Sequence, residues 1–261
     1  LIACQTKKKI PTSLLEYLPS NAVLILKSSS FNSLHKYKNQ HNASEAISSL
    51  LPKLYEILGQ IPRKSSGQLS FHMEGKDKLS YLLISNKKPD QIESVLIDTI
   101  QYNNIQILKA KSTPPIFYAT WDSLHFSSPS KLLVESSIRL RSATNNIDAN
   151  LNQMYLNAKE DHTFFISKNI ATHSNIIFGE EQLIPWNEFS NWTAFVPIVN
   201  NNGVFIKAYG IIEKSSLSRL SLLANQESSL QNLASYIPNS TLSVQAFSFN
   251  YETFNKSLLN F

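Results

Sequence analysis

Histidine is the residue type in this chain best suited to binding a metal ion or transferring a proton. Zinc hydrolases place two histidines four residues apart on a helix with a glutamate between them, or recruit cysteine ligands. No histidine pair has that arrangement, and the chain has a single cysteine. We therefore predict solvated or hydrogen-bonded histidines, with no metal and no cofactor, for all six: His35, His41, His72, His125, His162 and His173.

One serine–lysine spacing is typical of acyl-transfer enzymes. One occurrence is Ser85-Asn86-Lys87-Lys88, but in a functional pair the serine opens a helix and here it ends a predicted strand. The Gly-x-Ser-x-Gly elbow is absent from the sequence. The spacing is best explained by chance in a chain rich in both residues.

Paired carboxylates could support glycoside hydrolysis if they faced each other across a cleft. Glu160-Asp161 and Glu180-Glu181 are instead adjacent in predicted loops, where consecutive side chains diverge. Neither a phosphate-binding loop nor a dinucleotide fingerprint is present. We predict that the chain is not an enzyme, and keep a hydrolase without a recognisable motif as the third alternative.

A cluster of aromatic side chains surrounds Pro185, and it supports two interpretations. Exposed tryptophan is typical of protein and carbohydrate contacts, whereas an aromatic residue on a hairpin strand commonly packs in the core. Phe195 and Trp192 fall on a predicted hairpin strand, so at least one should be buried. The candidate contact patch is Trp186, Phe189 and Trp192.

The charge distribution argues against a nucleic-acid partner. The net charge is +5 at pH 7, but only 16% of residues are charged and the basic ones are scattered, with one dense run at Lys7 to Lys9. A nucleic-acid surface usually shows a basic stripe interleaved with aromatic residues. No segment approaches the roughly 20 apolar residues that span a bilayer.

The N-terminus carries the most specific motif of the chain, Leu1-Ile2-Ala3-Cys4, which contains the only cysteine. An aliphatic residue three positions before a cysteine and a small residue directly before it suit an extended peptide in a protease site. The cysteine thiol can then form a thioether to a lipid. The tetrapeptide resembles the lipobox of bacterial lipoproteins. That resemblance implies a signal-peptide remnant at residues 1–3 and a lipid on Cys4 that holds the protein to a membrane. The alternative is a small buried cysteine.

The residues after Cys4 resemble a sorting signal. Gln5 differs from the aspartate of inner-membrane retention signals, which implies the outer membrane. Lys7 to Lys9 stand where surface-exposed Bacteroidota lipoproteins have an acidic cluster, which implies a periplasm-facing protein. The composition and layout resemble large Bacteroidota envelope lipoproteins.

Hydrophobic periodicity and turn residues divide the chain into hairpins and amphipathic helices. Strands that arrive as hairpins and are followed by helices predict an α+β fold, a mainly antiparallel sheet with helices packed on one face. Within 17–25, a proline–asparagine turn leads into a predicted buried strand. Further predicted strands include 68–74, 79–85, 105–109, 116–121, 124–127, 163–167, 192–199 and 204–212, and predicted helices include 44–58, 89–100, 129–141, 149–158 and 215–224.

These elements suggest a lipobox remnant and tether at 1–12 and an α+β domain at 13–235, with possible related halves at 13–145 and 146–235. Tyr236 to Val244 repeats the Tyr17 to Ile25 pattern at an offset of 219 residues (236 − 17). Residues 236–261 are therefore either the last strand and helix or the start of a second repeat unit.

We expect a non-catalytic, membrane-anchored lipoprotein that acts through protein contacts, for example as an accessory subunit of an outer-membrane assembly or secretion complex. The alternative is a periplasmic carrier of a lipid or glycan.

Overall fold

Ten strands form a single antiparallel sheet in a computed structural model of the chain. The structure describes residues 13–32, 34, 57, 65–75, 78–88, 96–140, 143, 146–173, 190–200, 203–211 and 250–259. The strand order is β10-β9-β8-β1-β2-β3-β7-β6-β5-β4. The strands are β1 Ala22–Ser28, β2 Gly67–Glu74, β3 Lys78–Ser85, β4 Leu96–Tyr102, β5 Ile105–Ala110, β6 Ile116–Trp121, β7 Leu124–Ser128, β8 His162–Ser167, β9 Trp192–Asn200 and β10 Gly203–Gly210.

Within the described residues, three α-helices and two 3-10 helices with defined bounds accompany the sheet. The α-helices are α1 Lys131–Leu140, α2 Ala149–Asn157 and α3 Tyr251–Leu259, and the 3-10 helices are Leu14–Tyr17 and Lys168–His173. Asp148 caps α2 by accepting a hydrogen bond from the Leu151 amide at 2.9 Å, which satisfies one of the free donors of the first turn.

Helices α1 and α2 pack against the same face of the sheet. Ile25, Ser70 and Leu82 are register partners across β1, β2 and β3, so they point to one side. The apolar side chains of α1 cluster with Leu82, and those of α2 cluster with Ile25. We call this side the α1–α2 face.

The first 3-10 helix lies on the same face and joins the two clusters. Tyr17 makes edge-to-face contacts with Trp121 and Phe126, at centroid distances of 5.9 and 5.5 Å. Trp121 and Phe126 are themselves stacked. Leu15 packs with the α2 cluster, so the chain enters the fold between α1 and α2.

The opposite face is buried over the middle of the sheet and open over parts of β5 and β6. Over β1, β2, β3 and β8 it carries Leu26, Leu69, Leu83 and Phe164, which pack with Phe31 and other residues outside the sheet. Over β5 and β6, Gln106, Leu108, Tyr118 and Thr120 are exposed or half-buried, whereas Ala110 and Ile116 are buried. The mainly antiparallel sheet is confirmed, whereas packing of the helices on one face only stays a prediction.

The predicted helix at 89–100 is wrong where the structure describes it. Residues 96–100 belong to β4, which pairs with β5 from Leu96↔Ala110 to Tyr102↔Ile105. The helical spacing of Ile92, Val95 and Ile100 competed with a hairpin signal at Asn103-Asn104, whose positive φ angles of 46° and 61° suit a two-residue turn. Cross-strand pairing outweighed local periodicity.

The turn and strand predicted within 17–25 are found as a turn at residues 20 and 21 followed by β1, although Tyr17 ends a 3-10 helix and β1 continues to Ser28. The remaining predicted elements either match or lie outside the described residues. The strands at 68–74, 79–85, 105–109, 116–121, 124–127 and 163–167 are confirmed, as are the helices α1 and α2 and the 192–210 hairpin. The predicted helices at 44–58, apart from the buried Ile57, and at 215–224 lie outside those residues. The helix α3 falls in the predicted 236–261 segment.

Candidate functional site

A groove on the opposite face is the first candidate site. Its volume is about 310 Å³, near the lower limit for small-molecule sites. Gln106 and Leu108 of β5 and Tyr118 and Thr120 of β6 alternate with residues of the buried face, so the pleat places these four side chains on one side. Lys88 and Asn104 complete the groove at its ends.

Thr120 and His125 form a hydrogen-bonded pair at the edge of this groove. The Thr120 Oγ1 and His125 Nδ1 atoms are 3.0 Å apart, because Thr120 and His125 are register partners on β6 and β7. Burial, and then the charge of Lys88, lower the pKa of His125. His125 is therefore neutral at pH 7, and within the described residues no carboxylate is bonded to it to orient it as a catalytic base.

The tyrosine hydroxyls near the groove are also neutral. Burial raises the pKa of Tyr118, and burial together with Tyr118 raises the pKa of Tyr81. The groove thus offers hydroxyl, amide and phenol groups beside one lysine. This chemistry suits hydrogen bonding to a polar ligand.

A strip of buried polar side chains on the α1–α2 face is the second candidate site. It crosses the middle of the sheet between the α1 and α2 clusters. Its members are Lys27, Gln68, Ser70, His72, Ser80 and Thr163. All except Lys27 are buried, and Lys27 is half-buried.

His72 is the most buried titratable group of the strip. Burial lowers its pKa to about 3, so the ring is neutral. Asn21 Nδ2 donates to the Met73 carbonyl, which turns Asn21 Oδ1 toward His72 Nδ1 at 3.0 Å. The Nδ1 atom of the neutral ring then carries the proton and donates to Asn21. His72 Nε2, at 2.8 Å, and the Leu82 carbonyl, at 3.2 Å, share the one proton of the Ser70 hydroxyl.

Lys27 closes the C-terminal end of α2. Its ammonium donates to the Tyr155 and Ala158 carbonyls at 2.8 and 2.9 Å and lies 4.7 Å from the centre of the Tyr155 ring. These carbonyls have no partner within the helix, so a cation is favourable there. Burial lowers the pKa of Lys27, and Glu160 opposes that shift.

Of the contact and lipidation residues predicted from the sequence, Trp192 alone lies among the described residues. Cys4, Trp186 and Phe189 lie outside the described residues. Trp192 is 9% exposed and packs in the α2 cluster, which is the core interpretation that the sequence left open. His72 and His162 are buried within the sheet, and His125 is half-buried.

Two features are absent from the residues that the structure describes. No group of three or more metal-ligating side chains occurs there. No helix in those ranges is long and apolar enough to cross a bilayer. Comparison of the chain with protein-family models, curated proteins and solved structures finds no match.

Burial of His72 makes stability depend on pH. The unfolded chain binds a proton near pH 6.5 and the folded protein only near pH 3, so the unfolded state holds more protons between these values. The free energy of unfolding should therefore fall as the pH is lowered from 6.5 toward 3. The expected slope from His72 is up to about 1.4 kcal/mol per pH unit.

Urea unfolding of the wild type and of His72→Gln between pH 4 and 7.5 measures this slope. The variant should show a clearly shallower dependence, and the matched variant His125→Gln, at a half-buried histidine, should keep most of it. An unchanged slope in His72→Gln would contradict burial of a neutral ring.

Proposed function

We propose that the chain is a lipid-anchored, periplasm-facing outer-membrane lipoprotein that acts through contacts rather than catalysis. The single observation that carries this proposal is the Leu1-Ile2-Ala3-Cys4 motif with its unique cysteine. A lipid on Cys4 would hold the body to a membrane surface without a spanning helix. An accessory role in an envelope assembly or secretion complex fits such a placement.

The entry point of the chain supports a definite orientation. Ser13 lies nine positions after Cys4 (13 − 4), and nine residues reach at most about 32 Å when extended. Ser13 accepts a hydrogen bond from the Leu15 amide at 3.2 Å and begins the 3-10 helix on the α1–α2 face. The lipid would therefore hold the body near the membrane from this face, on which we also propose that the helices are concentrated.

The open part of the opposite face is the proposed contact surface. Its exposed side chains are neutral and polar on β4, β5 and β6, and comprise Thr99, Gln101, Gln106 and Thr120. Neutral polar surfaces form the hydrogen-bonded rims of transient protein interfaces. The surface lies across the sheet from the face by which the chain enters the fold, so a partner could reach it while the lipid is inserted.

Substitution of Cys4 tests the anchor. Wild-type protein made with its own upstream leader should carry the added mass of a lipid and sediment with the outer membrane, whereas Cys4→Ser should be unlipidated and leave the membrane fraction. Intact-mass measurement and density fractionation report these two properties. The matched variant Gln5→Asp should stay lipidated and move toward the inner membrane, and an unmodified Cys4 in the wild type would refute the anchor.

A carrier of a small glycan or lipid is the second candidate function. The groove favours it, because a volume of about 310 Å³ with amide, hydroxyl and phenol groups beside Leu108 suits an amphiphilic ligand of a few sugar rings at most. A contact protein needs no such groove. The two functions therefore differ in what the protein holds when it is extracted from the membrane.

Pull-down and native mass spectrometry of the same mild-detergent extract separate the two functions. A contact protein should bring down a partner in stoichiometric amount, and Gln106→Arg should lose most of it because a long cation replaces a neutral side chain at the surface. A carrier should instead show one added small-molecule mass that Gln106→Arg removes. Leu132→Arg, at a 69% exposed position of α1, is the matched control and should change neither result.

A further inference from the structure

Three members of the polar strip lie side by side in the centre of the sheet. Lys27 of β1 is the register partner of Gln68 on β2 and of Thr163 on β8. The three side chains therefore point to the α1–α2 face in one row. Gln68 and Thr163 are each 0% exposed. The row is thus inaccessible to bulk solvent at both ends.

The outer two members of this row have polar atoms without a partner in the described part of the chain. Among the described residues, neither Gln68 Oε1 nor Gln68 Nε2 has a hydrogen-bond partner, and the same is true of Thr163 Oγ1. Buried polar atoms in folded proteins are nearly always bonded, either to protein or to ordered water. A buried glutamine with both amide atoms unpaired is therefore unusual and needs a physical cause.

The surroundings of the row do not supply the missing partners. The neighbour of Gln68 on β3 is Ile84, which is apolar and fully buried. Lys27 uses two of its three N–H donors on the α2 carbonyls and has one left for a further acceptor. A ligand between these groups would have to accept from Lys27 and the Gln68 amide nitrogen, and donate to the Gln68 oxygen.

We propose that the row Thr163–Lys27–Gln68 is a binding site for ordered water. Water is the smallest molecule that both donates and accepts, and a buried water typically makes about three hydrogen bonds to otherwise unsatisfied groups. Neighbouring strands are about 4.8 Å apart, so Thr163 and Gln68 are separated by roughly 10 Å of sheet. Two or more water molecules are needed to serve both ends of the row.

This hydration would make the row part of the packing between α1 and α2. The row interrupts the apolar contacts of Ile25 and Phe165 on one side and of Leu82 and Ile84 on the other. Bound water would link the strands to the C-terminal end of α2 through Lys27. The proposal does not depend on the lipid anchor or on the groove.

Oxygen-17 magnetic relaxation dispersion counts the long-lived internal water molecules of the Cys4→Ser protein and tests the proposal. Gln68→Met keeps the length of the side chain and removes both amide atoms, so it should lower the count by at least one. Its unfolding constant, from urea titration, should rise about tenfold, because the remaining polar groups of the row lose their water.

Two further variants keep the test decisive. Thr163→Val is nearly isosteric and should also lower the count. Ser70→Ala is the matched control, because the Ser70 hydroxyl is bonded within the protein to His72 and to the Leu82 carbonyl, and it should leave the count unchanged. An unchanged count in both Gln68→Met and Thr163→Val would overturn the proposal, and Gln68→Met would then be more stable than its parent.

Discussion

β1 is paired along both edges, to β2 on one side and to β8 on the other, and every other part of the sheet depends on these two ladders. On one side of β1 the sheet continues with three strands, β8, β9 and β10. On the other side it continues with six, beginning with β2. Because strand side chains alternate, the same short strand supplies Leu24 and Leu26 to one buried cluster and Ile25 to another. A one-residue slip of β1 would exchange these faces and would place Lys27 in the apolar cluster that now holds Leu24 and Leu26.

Because β1 is central, its Lys27 is a charged side chain in the middle of the sheet. A cation in the middle of a sheet is tolerated when its ammonium is bonded, and the free carbonyls at the end of α2 provide those bonds. The strand therefore fixes the end of a helix, and the helix in turn stabilises a lysine in the sheet. Such mutual dependence ties α2 to one register of β1. The open part of the opposite face, over β5 and β6, is less constrained because few of its side chains are packed.

The sequence predicted the local elements well and the long-range ones poorly. Gly75, with a φ of 74°, and the asparagine-rich segment before Gly203 identified their hairpins because turn chemistry is local. Asn103-Asn104 carried the same kind of turn signal, but the helical spacing of the preceding apolar residues led to the prediction of a helix at 89–100. The groove was missed because Lys88, Gln106 and Thr120 are ordinary surface residues until β5 and β6 pair. The polar strip was missed because alternating Gln68, Ser70 and His72 is typical of a solvent-facing edge, whereas helices cover it here.

The two faces of the sheet differ over β5 and β6: Ala119 is buried with side chains of α1, whereas Gln106 and Thr120 on the opposite face are exposed. Cys4→Ser removes the only thiol of the chain, so single cysteines can be added at adjacent positions of β6. Thr120 is exposed on the open part and Ala119 is 3% exposed on the α1–α2 face. Maleimide should label Thr120→Cys as fast as a small peptide thiol, and should label Ala119→Cys only through unfolding. Equal rapid labelling of both variants in the folded protein would contradict the account.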